Sequence, residues 1–242
     1  MDFLLILGID TSGKQGGIAL WREGALLEAA PIAGGTFSAQ LIPQVAELLA
    51  KHKLKKEDVG GFAVASGPGS FTGLRVGLAA VKGLAEILGK PIAVVSVLEA
   101  LALSGSTVAT PLSASPETAR RPSLPKRVAT ALDAQRQEVF FGEYEVADGR
   151  GRTLREELLS QADFIAHLRG ESKPALPVVT SDGSVSRLLS EVGVQWTAVP
   201  RPSAADVARI GAGKLARGET VTVEQLDANY IRRSDAEIFA KP

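Results

Sequence analysis

The 242-residue chain contains no cysteine, which removes a disulfide framework, a thiolate nucleophile and a cysteine zinc site. It has two histidines, His52 and His167, far apart in sequence and each alone on an expected helix, an arrangement usual for surface residues and unlike a metal centre. Charge of one sign is also missing: Lys+Arg and Asp+Glu both number 27, so the chain lacks the basic excess of a protein that grips nucleic acid alone. No apolar run approaches the roughly 18 residues a membrane span needs. The opening Met1-Asp2-Phe3-Leu4-Leu5 lacks the positive region and small-residue cleavage site of a secretory signal, so a cytoplasmic location is expected. Aromatics are few, at 5%, but 45% hydrophobic residues over this length suffice for one large core or two smaller ones.

What the chain does have is concentrated between Ala65 and Lys90. Gly61-Phe62-Ala63-Val64-Ala65 is short and apolar, as a buried strand would be. Gly67-Pro68-Gly69 must be a turn, Ser70 or Thr72 can cap a helix starting near Gly73, and Gly89 followed by Pro91 ends it. Such a turn either offers bare backbone N–H groups to an anion or only hands a strand over to a closely packed helix. It is a poor dinucleotide fingerprint, because Thr72 stands where the third glycine belongs. Gly73, Gly77 and Gly83 each cost the helix about 1 kcal/mol against alanine. Together with Ala79, Ala80 and Ala85 they predict a helix that another helix approaches closely.

From the N-terminus, Phe3–Asp10, Gly17–Trp21 and Ala25–Ala29 read as strands, the first buried on both faces. Gly8 to Lys14 imitates a P-loop, but Gln15 replaces the magnesium-binding hydroxyl and a strand follows, not a helix. The better reading is a hairpin whose tip brings Asp10, Thr11 and Ser12 to the edge of a cleft. A helix capped by Ser38 carries Leu41, Ile42, Val45, Leu48 and Leu49, with Pro43 early in it. Ile92–Val97 is a strand and a helix opens at Ser96. Ser104 to Lys126 is rich in Ser, Thr, Ala and Pro and reads as a flexible loop near a domain junction. Beyond it come strands at Val128–Asp133 and Glu138–Tyr144, a helix at Leu158–Leu168, a strand from Pro177, and helices at Val185–Val192 and Asp206–Arg217. The expected division is residues 1–103 and 104–242, with the final helix and tail candidates to pack back on the first lobe.

Several blocks together resemble the TsaB (YeaZ) family, the dimerisation subunit of the bacterial machinery that makes threonylcarbamoyladenosine in tRNA. They are Leu7 to Ser12, Ser66 to Gly77 with its specific Gly-Pro-Gly-Ser-Phe-Thr-Gly core, Lys82 to Ala85, Leu132 to Val139 and Tyr230 to Glu237. The chain departs from the pattern at Phe37-Ser38, where the family usually has His-Ser, and in its longer 104–126 loop. The resemblance implies the two-lobed actin/Hsp70 (ribonuclease H-like) α/β fold. It also implies a non-catalytic partner of the paralogous TsaD, which transfers a threonylcarbamoyl group to adenosine 37 of tRNA, with the ATPase TsaE joining. The implied partners are thus a TsaD-like subunit, a TsaE-like ATPase, a second copy when the chain is alone, and tRNA through the complex. No cofactor is expected to bind tightly, ATP or ADP and magnesium being left for the interface of the complex.

Two other readings stand beside this one. A kinase-like or acyl-transferring enzyme of the same fold would use Asp10 as a metal carboxylate and Asp133 as a base; against it, Ala134-Gln135-Arg136 follow Asp133 where a glycine phosphate loop is needed. A Rossmann-type module centred on Gly67 and Gly69 lacks its third glycine, and a metallopeptidase lacks ligands. On the favoured reading no residue is catalytic and none binds metal. Asp10, Thr11, Ser12, Gly67, Gly69, Ser70, Thr72 and Gly73 form a structural turn or weak nucleotide contact. Leu41, Val45 and Leu48 with Val76, Ala80, Gly83, Leu84 and Ile87 form an exposed helical patch for a partner. Limited proteolysis is expected to cut first between Ala109 and Lys126; early cutting inside Leu74–Leu88 would contradict the division into lobes.

Overall fold

The computed structural model describes residues 4–108, 126–170, 176–229 and 231. The proteolytic loop at 109–125 and most of the Tyr230–Glu237 block lie outside the described residues. The chain divides into two compact units, Met1–Val97 with Pro202–Asn229, and Leu98–Arg201.

In the first unit, β1 (Leu5–Asp10), β2 (Gln15–Arg22) and β3 (Ala25–Ala33) form an antiparallel meander. Then β4 (Val59–Gly67) and β5 (Ile92–Ser96) join parallel, giving the order β3-β2-β1-β4-β5. All of β1 is buried because both faces are covered. On one face lie α1 (Phe37–Lys51) and α2 (Phe71–Leu88); on the other lies α6 (Ala204–Ala216). That helix sits close: a Cβ on Gly8 would come within 2.6 Å of the Ala208 Cβ, and one on Gly211 within 2.2 Å of the Ala63 Cβ.

The second unit repeats the topology. The strands β6 (Lys126–Asp133), β7 (Glu138–Ala147) and β8 (Arg150–Ser160) make a meander, and β9 (Val178–Thr180) and β10 (Trp196–Ala198) add parallel strands. The order β8-β7-β6-β9-β10 is the first sheet's order again. One face packs Ala129, Ala131, Val139 and Phe141 against Phe164 of α4 (Gln161–Arg169) and Val185 and Leu189 of α5 (Gly183–Glu191). Glu143 is buried on β7 and its carboxylate is paired with the Arg127 guanidinium. Two copies of a meander extended by two parallel strands define the actin/Hsp70-like α/β fold that the sequence predicts.

Several elements differ from the sequence expectations. The boundary expected after residue 103 falls inside α3 (Val97–Val108), which runs on through residues expected to begin the loop. Its packing explains this: a Cβ on Gly105 would meet the Val179 side chain at 2.4 Å, so the helix seats on β9. The polar β8 was not expected at all. It forms because Asp148 (φ 51°) and Gly149 (φ 70°) make a two-residue hairpin turn that continues β7.

At the C-terminal end of α1, Lys51 Nζ donates to Glu28 Oε1 at 2.5 Å, and His52 Nε2 lies 2.9 Å from Glu28 Oε2 on β3. The Lys51 ammonium first, then His52, hold the Glu28 carboxyl below its ordinary value of 4.5. A depressed carboxylate contributes stability above its unfolded-state pKa and loses it as pH falls through the folded value. The Tm advantage of the parent chain over Glu28→Gln should therefore shrink as pH falls below 4.5, measured by thermal melts across the acid range.

Candidate functional site

The candidate site lies where the β1–β2 hairpin meets the turn between β4 and α2. Asp10, Thr11 and Ser12 are buried, where the sequence reading placed them at a cleft edge. Asp10 Oδ1 accepts the Ser12 amide at 2.8 Å, which folds the hairpin tip on itself. The Gly67–Pro68 peptide is cis and Gly67 has φ +109°, a backbone conformation other residues rarely adopt. The turn then drops onto the hairpin, and the Ser70 amide donates to Ser12 O at 2.7 Å.

The glycines are explained by that contact. A Cβ at Gly69 would lie 2.2 Å from Ser12 O, one at Gly73 2.1 Å from Thr11 O, and one at Gly77 2.3 Å from Thr11 Oγ1. Backbone is thus packed on backbone at Gly69 and Gly73, and on the Thr11 side chain at Gly77. The amides opening α2 are also engaged: Gly73 N–H donates to Ser70 Oγ at 3.2 Å and Leu74 N–H to Ser70 O at 2.9 Å. Ser70, not Thr72, is the cap, and α2 begins at Phe71 instead of near Gly73. Close packing on the hairpin is what these glycines serve. Thr11 Oγ1 is buried with no hydrogen-bond partner among the described residues.

Beside the turn a cleft of about 410 Å³ opens between the hairpin, the start of α1 and the start of α2. Lys14, Ser38, Thr72, Gly73 and Val76 line it, whereas Asp10, Thr11, Gly67 and Gly69 do not. Phe37, where the resemblance led one to expect histidine, is buried; a Cβ on Gly16 of β2 would meet its ring at 2.8 Å. An apolar ring therefore fills the corner between hairpin and helix.

In the second unit, Asp133 closes on its own loop. Its Oδ1 accepts the Gln135 amide at 2.8 Å and its Oδ2 the Gln135 side-chain amide at 2.9 Å. Gln135, Arg136 and Gln137 all have positive φ, at 63°, 54° and 60°, without a glycine among them. Both Asp133 oxygens are thus engaged within the loop. His167 stacks edge-on to Phe141 at 5.0 Å, and among the described residues no three His, Asp or Glu side chains gather as a metal site would require.

The expected partner patch divides. Leu41, Val45 and Leu48 are buried in the first unit and face its sheet, which corrects their assignment to an exposed surface. They complete the core face of α1 with Phe37 and Leu49. On α2, Leu74, Leu78 and Val81 are buried, while Val76, Ala80, Gly83 and Leu84 are half-buried and Ile87 is 77% exposed. Around Gly83 the space is open. The exposed apolar residues of α1 include Ala39, Ile42 (49% exposed), Ala46 and Ala50. They were legible in principle: at 100° per residue, Ile42 and Ala46 fall outside the arc spanned by Phe37, Leu41, Val45 and Leu48.

The duplicated sheets and the glycine turn seated on the first hairpin place the chain among actin/Hsp70-like proteins. The family model for TsaD, tRNA N6-adenosine threonylcarbamoyltransferase, matches residues 31–216. The chain is 30% identical to the tRNA threonylcarbamoyladenosine biosynthesis protein TsaB of Bacillus subtilis (strain 168), over 97% of this chain and 96% of that protein. It is 28% identical to TsaB of Escherichia coli (strain K12), over 96% of each. The solved structure of YeaZ from Pseudomonas aeruginosa superposes with a TM-score of 0.70 at 28% identity, covering 93% of this chain and 99% of that one. The chain belongs to the TsaB/YeaZ family.

The glycines of α2 give a paired test. At Gly83, with open space, alanine should raise stability by about 1 kcal/mol through helix propensity. At Gly77 the same change should lower it by about 1–3 kcal/mol, overpacking against Thr11 outweighing that gain. Urea unfolding midpoints of the two variants check the opposite signs.

Proposed function

We propose that this chain is a non-catalytic subunit in the biosynthesis of threonylcarbamoyladenosine on tRNA, and that it docks a TsaD-like catalytic subunit through the outer flanks of α1 and α2. The observation that carries the reading is the apolar flank made by Ile42 and Ala46 of α1 with Val76, Ala80, Gly83, Leu84 and Ile87 of α2. Small residues there would let backbones approach, and with Ile87 77% exposed the flank offers the contiguous apolar surface that marks interaction sites. The names of the relatives supply the pathway, and the TsaD family match supplies the kind of partner. A non-catalytic role is supported by the two carboxylates an enzyme of this fold would need: Asp10 accepts its own hairpin's amide and Asp133 is held by Gln135.

In the absence of the TsaD-like subunit, the same flank would join two copies of this chain. A TsaE-like ATPase would bind the assembled pair, tRNA would be reached through the complex, and ATP or ADP with magnesium would act at the complex interface. Neither nucleotide nor metal would bind this chain tightly on its own.

Ile87→Arg and Ala80→Arg place a charge on the flank at positions that should cost the fold little, within about 0.5 kcal/mol for the exposed Ile87. If Ile87 is a central contact, its replacement should weaken association by about 2 kcal/mol or more, roughly 30-fold in Kd. Sedimentation of the chain alone and pull-down with the TsaD-like subunit read the effect. Unchanged association in both, with the fold intact, would put the interface elsewhere. ATP hydrolysis by the purified chain should equal a buffer blank; a turnover that Asp133→Ala abolishes would instead establish an enzyme.

A further inference from the structure

After α6 the chain leaves Gly218 (φ +72°) and returns along the first unit as a strap to Asn229. Three anchors hold it. The Val221 amide donates to Ile92 O at 3.0 Å, an antiparallel bridge on the outer side of β5. Thr222 and Gln225 then bond each other's amides through their side chains at 3.1 and 3.3 Å, closing a turn that sends Leu226 fully into the core. Finally the Asn229 amide donates to Ser66 O at 2.8 Å.

The last anchor falls at a break in the sheet. The β4–β5 register pairs Ala65 with Val95 and Gly67 with Ser96, so it skips Ser66. Ser66 is buried, and a buried carbonyl outside the ladder needs another donor. The strap supplies it. One residue on, Asn229 O is 3.6 Å from where a Cβ of Gly67 would stand. The turn before α2 is therefore held on one side by the strap at Ser66–Gly67 and on the other by the hairpin at Ser12.

We propose that residues 219–229 are a positioning strap for α2: they fix where that helix starts and how its outer flank is presented, without touching the partner. The proposal rests on the reading of α2 as a docking helix. Asn229 and Leu226 are positioning residues in this scheme, and the surface that Ile87 presents depends on a segment more than a hundred residues later in the chain.

The test uses the full chain with Asn229→Pro, which removes the amide at Ser66 O, and Leu226→Ala, which weakens the buried anchor. Amide hydrogen exchange should rise selectively in Phe71–Arg75 by tenfold or more in both variants, while β1 and α6 keep their protection. Self-association measured by sedimentation should weaken by about tenfold in Kd alongside it. Exchange that rises equally throughout the first unit, or does not rise at the start of α2, would overturn the proposal and leave the strap a general brace. Unaltered association in the strap variants, where Ile87→Arg abolishes it, would also overturn it. If Ile87→Arg itself leaves association unchanged, the docking reading fails, and the exchange pattern alone decides whether the strap positions α2.

Discussion

The contact on which the first unit depends is backbone against backbone: the turn from Gly67 to Gly73 lies directly on Thr11 and Ser12, closed by the Ser70 amide on Ser12 O at 2.7 Å. Any side chain at 69, 73 or 77 would stand 2.1–2.3 Å from an oxygen of the hairpin, far inside van der Waals contact. Glycine at 73 and 77 weakens α2 by about 1 kcal/mol per residue as an isolated helix. Displacing the hairpin would cost more, because overpacked cores lose about 1–3 kcal/mol per site. Close packing outweighs propensity, so a helix poorly suited to stand alone is well suited to this place.

The same contact sets the geometry of the first hairpin tip. In a two-lobed α/β protein of this topology the meander hairpins are the natural sites for phosphate-binding loops, since their tips reach the ends of the parallel strands. Here the first tip is buried beneath the turn, with Asp10 Oδ1 accepting the Ser12 amide. The second tip holds Asp133 within its own loop and carries three non-glycine residues at positive φ. Left-handed conformations at such residues persist only when surrounding bonds over-determine them. The Ala134 amide to Glu138 O and the Glu138 amide to Gln135 O, both 3.0 Å, do so here. The two sheets share one topology, and at the tip of each first hairpin an aspartate accepts an amide of its own turn.

Legibility in the sequence followed periodicity and punctuation. β1 and β4 were readable as unbroken apolar runs, and α2 from its serine cap and terminal Gly89, which takes φ +61° as the helix stop. The glycines announced close approach but not its target, because Thr11 lies some sixty residues away and spacing carries no information about distant partners. β8 was invisible for a different reason: Arg150-Gly-Arg-Thr-Leu-Arg-Glu-Glu has neither alternation nor β-branched enrichment, and its strand state comes from pairing with β7. The exposure of the two helices was partly legible. Treating α1 by residue type favoured its large leucines, yet large residues are what a sheet face recruits, and Leu41, Val45 and Leu48 went to the core. The 1–103 boundary failed because sequence composition marks loops, whereas the units are divided by which sheet α3 and α6 pack against.

That division leaves α2 in an unusual mechanical position. One face is fixed by Leu74, Leu78 and Val81 on the sheet, its first turn is held by hairpin and strap, and its remaining flank carries Val76, Ala80, Leu84 and Ile87 and is open at Gly83. A helix held along its length and at its start loses little further entropy when a second helix packs on it, which is the cost that most weakens association through mobile segments. On the proposed docking reading, Ile42, Val76, Leu84 and Ile87 would supply apolar area, and Ala46, Ala80 and Gly83 would set how closely two backbones can meet. Rigidity is therefore the property the rest of the unit must supply. The hairpin contact at Thr11 and Ser12 supplies it from before α2 in the chain, and the strap at Ser66 from well after it.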